Sequence, residues 1–216
     1  VREGEYKNIG YGSGERNRSI LNITEENNGT INQPIVVRAY PGETPKLTFD
    51  GKGGIIVGER FKPVKHIEIG GFEIQGPNSK LDYPKAKANR DWYVNNNDQE
   101  LKHIFHGRGI AVWGGNNINI HNNKVYDTPN SGIRVNNSDY CRVSYNEVFN
   151  TTFWSFNAES AIVFAQSKSI DDESKIKMRI ENNLVYNNMN KLPFYNKNYA
   201  CTNSTYSYGC KDQPYI

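Results

Sequence analysis

The chain lacks long apolar runs, helical periodicity and a basic stripe, and each absence removes a class of protein. Without about 20 consecutive apolar residues, nothing reads as a membrane-spanning helix. With 26 basic and 23 acidic residues in 216, the net charge is only +3, and the basic residues are dispersed. That balance argues against nucleic acid or an anionic membrane as a partner. Only three cysteines are present, with no Cys-x-x-Cys pair or other metal-ligand cluster. Hydrophobic residues make up 36 %, which suits a thin core with many turns. The length fits one domain over residues 1–216, with an insertion at 76–108 and an irregular tail at 187–216.

What is present is a repeated alternation. In the stretch Gly109 to Tyr126, a strand Gly109-Ile110-Ala111-Val112-Trp113 runs into a polar turn, Gly114 to Asn117. A second strand, Ile118-Asn119-Ile120, leads to Asn122-Asn123 and a third short piece, Val125-Tyr126. A period of two means strand. The pattern returns as Gly132-Ile133-Arg134-Val135, Cys141-Arg142-Val143 and Asn146-Glu147-Val148-Phe149. A further copy has Ala161 to Phe164, Met178-Arg179-Ile180 and Asn183-Leu184-Val185-Tyr186. An earlier, degenerate copy has Gly54 to Val57, Ile67-Glu68-Ile69 and Phe72-Glu73-Ile74, with Phe72 where the others have Asn.

Ile118 and Cys141 are 23 residues apart, one turn of a three-sided coil; the 37 from Cys141 to Met178 add a loop, and the 51 from Ile67 to Ile118 hold the insertion. Strand-only repeats of this kind predict a solenoid. Stacked strands lie about 4.8 Å apart, so equivalent residues should form columns. Three inward columns are expected: Ile67, Ile118, Cys141, Met178; then Ile69, Ile120, Val143, Ile180; then Ile74, Val125, Val148, Val185. Asn123, Asn146 and Asn183 should form an amide ladder at a bend, and Tyr126, Phe149 and Tyr186 an aromatic row outside.

This cadence resembles the right-handed parallel β-helix repeat proteins, the superfamily that includes pectate lyases. The opening Val1-Arg2-Glu3-Gly4-Glu5-Tyr6 is similar to the strand that begins many of these helices, and Pro34 to Glu43 resembles the coil that follows. The resemblance covers roughly residues 1–186. It implies an all-β fold, a right-handed parallel β-helix (solenoid) with long loop insertions; the way the sequence begins and stops adds the expectation that the helix is incomplete at one or both ends. It also implies an active groove along the Gly-Ile-x-Val sheet. Outward positions there are Ile56, Gly58, Ala111, Trp113, Arg134, Asn136, Val163 and Ala165. Pectate lyases carry Asp-Gly-x-x-Asp near this point and hold calcium with both carboxylates. Here Glu159 keeps the first acid and Val163 stands at the second, so calcium is a poor fit and no cofactor is assigned. The paired acids and Gly-His-Gly of polygalacturonase-like hydrolases are absent, and Asp171-Asp172 falls in a loop.

The resulting candidates are Arg134 and Glu159 as catalytic residues, with Trp113, Arg90, Asp91 and Trp92 binding substrate. Arg134 is suited to hold a uronate carboxylate or act as base in β-elimination; a surface salt bridge with Glu159 is the competing reading. Trp113 offers a sugar-stacking surface or a support for the insertion. His103-x-x-His106 reads as polar loop, and Ser131 and Ser160 lack a partner His. The expected function is a polysaccharide-binding or polysaccharide-cleaving protein, most like a lyase on an acidic glycan. The alternative is a non-catalytic extracellular adhesion or structural module. Secretion is expected from sequons headed by Asn17, Asn22, Asn28, Asn136, Asn150 and Asn203, and from a possible Cys201–Cys210 pair. The chain opens at Val1 without Met, which leaves open a removed signal peptide or missing upstream residues; at the other end a neighbour is expected to cap an open last coil.

Overall fold

The structure is a computed structural model that describes residues 1–8, 19–59, 62–96, 103–155 and 159–192. Its strands form three sheets, and every neighbouring pair of strands is parallel. Sheet A contains, in spatial order, β1 (Glu5–Asn8), β4 (Lys46–Phe49), β7 (Glu73–Gln75), β10 (Lys124–Tyr126), β13 (Glu147–Phe149) and β16 (Leu184–Tyr186). Sheet B contains β2 (Ser19–Ile23), β5 (Gly53–Val57), β8 (Arg108–Trp113), β11 (Ile133–Asn136) and β14 (Ile162–Ala165). Sheet C contains β3 (Ile35–Arg38), β6 (Val64–Gly70), β9 (Gly115–His121), β12 (Asp139–Ser144) and β15 (Met178–Glu181). The chain visits B, C and A in turn and then rises to the next level, which makes a parallel β-helix. The segment up to Phe49 holds the first four strands.

The columns read from the sequence are present in register. Ile67 pairs with Ile118, Ile118 with Cys141, and Cys141 with Met178. Ile69, Ile120, Val143 and Ile180 form the second column, and Ile74, Val125, Val148 and Val185 the third. Apart from Ile180 and Val185, they belong to one continuous apolar core with Ile55, Ile110, Val112, Ile133 and Val135 of sheet B. Burial pushes the Cys141 thiol up to about 12, so it is a small core side chain rather than a nucleophile. Inward residues of the last described coil are uncovered: Ile180 is 47 % exposed, whereas Ile120 and Val143 are fully buried.

The recurrent Gly before Ile is a packing requirement. Gly54, Gly109 and Gly132 stack at the start of sheet B strands, and a Cβ on them would run into Ile74, Val125 and Val148 of sheet A, respectively. The corners have a different cause. Gly71, Asn122, Tyr145 and Asn182 turn the C-to-A bend with φ between 54° and 82°. Gly58, Gly114, Asn137 and Gln166 turn the B-to-C bend, and Asp127, Asn150 and Asn187 follow the sheet A strands, all at positive φ. Gly and Asn tolerate this left-handed conformation best, which is why they recur at these corners.

The Asn ladder follows the C-to-A bend. The Asn123 side-chain amide donates to Asn146 Oδ1 at 3.0 Å, and that of Asn146 donates to Asn183 Oδ1 at 3.0 Å. Each acceptor oxygen also takes the backbone N–H of the residue one level before it. Phe72 ends the series: its backbone N–H donates to Asn123 Oδ1, while its ring joins the core. Outside, the Tyr126, Phe149 and Tyr186 rings stack at 5.0 and 4.9 Å with nearly parallel planes.

The insertion departs most from expectation. What the sequence offered only as a loop insertion contains a 14-residue helix, α1 (Tyr83–Asn96). It packs through Ala86 into a second small core with Phe105, Trp154 and Leu192 at the A-to-B corner. Trp154 comes from the segment after β13; Phe156 and the Cys201–Cys210 pair lie outside the described residues.

Two substitutions test the stacking. Val143→Asp places an unpaired charge between Ile120 and Ile180 and should abolish cooperative folding; a soluble protein with a sharp melting transition would refute the register. Asn146→Ala orphans the Asn123 and Asn183 groups and should cost about 1–3 kcal/mol, read as a lowered melting temperature.

Candidate functional site

Three successive coils contribute to a cluster at the A-to-B edge of sheet B. Arg108 opens β8, Ser131 lies just before β11, and Glu159 lies three residues before β14. The Ser155 hydroxyl accepts the Glu159 backbone N–H at 3.2 Å and fixes the approach to that strand. Arg134, one position into β11, turns outward as alternation requires.

These residues meet on the Glu159 carboxylate. Arg108 grips it as a fork, Nε to Oε2 at 3.1 Å and Nη2 to Oε1. Arg134 Nη1 lies 2.9 Å from Oε1. The Ser131 hydroxyl donates to Oε2 at 2.6 Å. Oε2 therefore accepts from Arg108 and Ser131, and Oε1 accepts from Arg108 while pairing ionically with Arg134. The side chains of Glu159, Arg108 and Arg134 are 6 %, 15 % and 18 % exposed, so the trio is largely screened from water. Burial pushes the Glu159 carboxyl up, but the charge and hydrogen bonds of Arg108, then Arg134 and Ser131, outweigh it and hold the group down at about 2. At neutral pH it is a carboxylate with no capacity to act as a proton carrier. Two guanidinium groups against one carboxylate leave a net positive trio. Lys52 sits beside it; burial, then the Arg108 charge, lower its ammonium, partly offset by Glu59.

The guanidinium carbons of Arg108 and Arg134 lie 5.5 and 5.7 Å from the Trp113 ring centre. The ring thus serves as a wall for two cations. Its indole Nε1 and the Nε of Arg134 are buried without hydrogen-bond partners among the described residues. Arg134 Nη2 makes one long bond, 3.3 Å, to Asn136 Oδ1. The cluster accordingly presents spare donors beside surplus positive charge. That chemistry does not fit calcium: among the described residues the cluster has one carboxylate, already engaged by Arg108, Arg134 and Ser131, and two guanidinium groups would face the cation. Among the described residues no group of three His, Cys, Asp or Glu is placed to hold a metal.

The structure brings Arg134, Glu159 and Trp113 together and places Arg90, Asp91 and Trp92 on α1. Asp91 accepts from Lys87 at 2.6 Å and from Arg90 at 2.7 Å, within the helix, and Trp92 is 40 % exposed. The outward Ile56 and Ala111 are buried, so sheet B is not an open platform along its whole length. His106 is buried and the His103 side chain lies outside the described residues. Asp171 is exposed in its loop, as the sequence placed it, and accepts from Tyr140 and Lys177. Of the sequon residues, Asn22 and Asn28 are exposed, Asn136 is buried and Asn150 is half-buried; Asn17 and Asn203 lie outside the described residues. Sequence reasoning missed Arg108, because its position is in phase with the inward Ile110 and it sits at the junction with the insertion. Ser131 drew attention only as a nucleophile.

Glu159 gives the site a measurable pH signature. Its folded value is depressed from 4.5 to about 2, so its contribution is complete above 4.5 and lost as pH falls toward 2. The shift corresponds to about 3 kcal/mol. Glu159→Gln should therefore be less stable than wild type at neutral pH, with the difference in melting temperature closing over that acid window. A difference independent of pH would refute the ionised trio.

Residues 70–211 match the family described as right handed beta helix region. No curated protein and no solved structure matches the chain. Among the described residues no helix is long and apolar enough to cross a membrane. The family match covers well over half of the chain and agrees with its three parallel sheets and stacked columns. The chain belongs to the right-handed β-helix family.

Proposed function

We propose that this is a secreted, pectate-lyase-like β-helix protein that binds an acidic polysaccharide at the Arg108–Glu159–Arg134 cluster, with cleavage by β-elimination as its reaction where it is catalytic. The observation that carries the reading is the pair of spare buried donors, Arg134 Nε and Trp113 Nε1, beside a net positive trio. Donors without acceptors suit a group that only accepts, and a uronate carboxylate is one. Arg134 holds that carboxylate or removes the adjacent proton. Glu159 orients Arg134 and remains ionised throughout. Trp113 walls the pocket and adds its indole N–H. Arg90, Asp91 and Trp92 of α1 are assigned to more distant sugar units. Exposure of Asn22 and Asn28 suits glycosylation during secretion. The uncovered Ile180 and Val185 suit a neighbour capping the last coil.

The competing reading is a non-catalytic adhesion or structural module. Burial of the outward Ile56 and Ala111 favours it, since an extended sugar chain needs an open sheet face. Calorimetry on matched acidic and neutral oligosaccharides, with ultraviolet absorbance for unsaturated products, separates the two. Arg134→Ala should weaken acidic binding by on the order of tenfold or more and abolish any turnover. Trp113→Phe keeps a ring but removes the N–H, so it should weaken acidic binding and spare neutral binding. Failure of the wild type to bind or cleave any acidic glycan would decide for the structural module.

A further inference from the structure

The geometry points to Arg108 as the residue that keeps Arg134 available to a carboxylate ligand, a positioning residue that acts through Glu159. The inference rests on the acidic-glycan reading and extends it to a residue that never needs to touch the glycan.

The argument turns on which edge of each guanidinium is engaged. An arginine beside a lone carboxylate closes onto it as a two-pronged fork. Two arginines compete here for one carboxylate, and they hold it unequally. Arg108 takes the fork through its Nε and Nη2 edge, bridging both oxygens of Glu159. Ser131 fills further acceptor capacity on Oε2. Arg134 is left with one contact, Nη1 to Oε1. That contact uses the end of its guanidinium and turns the Nε and Nη2 edge away from Glu159. On that edge Nε has no partner among the described residues, and Nη2 has only the 3.3 Å bond to Asn136. This is the edge that a carboxylate engages with two parallel hydrogen bonds. The Trp113 ring, lying against both guanidinium groups, keeps them side by side although they repel.

Removing Arg108 therefore does more than delete a charge near the ligand. It frees the Oε2 side of Glu159, and Arg134 can swing into the vacated fork. The free edge is consumed internally, and the net charge of the cluster falls to zero. Removing Glu159 as well eliminates the competitor and returns the edge of Arg134 to the ligand. The order of effects is thus opposite to that of a structural role, for which a second lesion in a buried cluster adds to the first.

The test uses the full chain and a short oligogalacturonate, with a neutral galactose oligomer of the same length as control. Binding is measured by calorimetry for wild type, Arg108→Met, Glu159→Gln, the double variant Arg108→Met/Glu159→Gln, and Arg134→Ala. Melting curves verify that each is folded. Arg108→Met should lose on the order of tenfold in affinity for the acidic oligomer. The double variant should regain most of that loss, while Arg134→Ala stays weak. Should Arg108→Met fail to fold, Arg108→Lys retains the charge without the fork and should show a partial loss that Glu159→Gln again reverses. A double variant that binds no better than its Arg108 parent overturns the positioning role. So does an Arg108 variant that binds like wild type while Arg134→Ala does not. A wild type that fails to bind the acidic oligomer instead removes the acidic-glycan reading itself.

Discussion

Parallel pairing between levels of the coil is the constraint from which the rest of the structure follows. A residue in one coil sits about 4.8 Å from its counterpart in the next, so each position must be compatible with its own kind above and below. Branched aliphatics meet this condition inside, as in Ile69, Ile120, Val143 and Ile180. Planar rings meet it outside by stacking face to face. Asparagine meets it at the bend, because one amide both donates to the next level and accepts from the last. On sheet A the same rule governs charge: Glu5, Lys46, Glu73, Lys124 and Glu147 fall in one column with alternating sign. Like charges at that spacing would repel along the whole sheet.

The buried cluster is the exception to this self-pairing. Glycine, arginine, serine and serine succeed one another at the level of Gly53, Arg108, Ser131 and Ser160, so no ladder forms. A carboxylate from the next corner fills the gap and is met by two guanidinium groups. Such ions are costly to bury, and the attraction within the trio has to offset that cost. A solenoid of repeating aliphatics would be simpler and no less stable. Departure from the column rule at one place, with spare donors left over, is the pattern expected of a binding site placed on a regular scaffold.

The fold was legible because its columns recur in the sequence itself. Val143 could be placed between Ile120 and Ile180 without coordinates, since all three follow one alternation at coil spacing. The ladder was legible because Asn123, Asn146 and Asn183 precede the same apolar-aromatic pair. Helix α1 was not: Tyr83 to Asn96 has no apolar face, and only Ala86 anchors its described surface in the second core. The pairing of Arg134 with Glu159 was one of two readings that local sequence left open. Arg108 was illegible, because its role depends on a carboxylate 51 residues away that no periodicity connects to it.

The trio also joins coils that contact one another only through their neighbours. Arg108, Ser131 and Glu159 belong to three consecutive levels, and Glu159 lies on the one nearest the uncovered end. Repeat arrays lose structure from their termini inward. Fraying of the β14 level would therefore carry Glu159 away and leave two arginines facing each other without a counter-ion. The charge of the cluster is thus set by the order of the last described coil, so whatever stabilises that level also keeps the counter-ion of the two arginines in place.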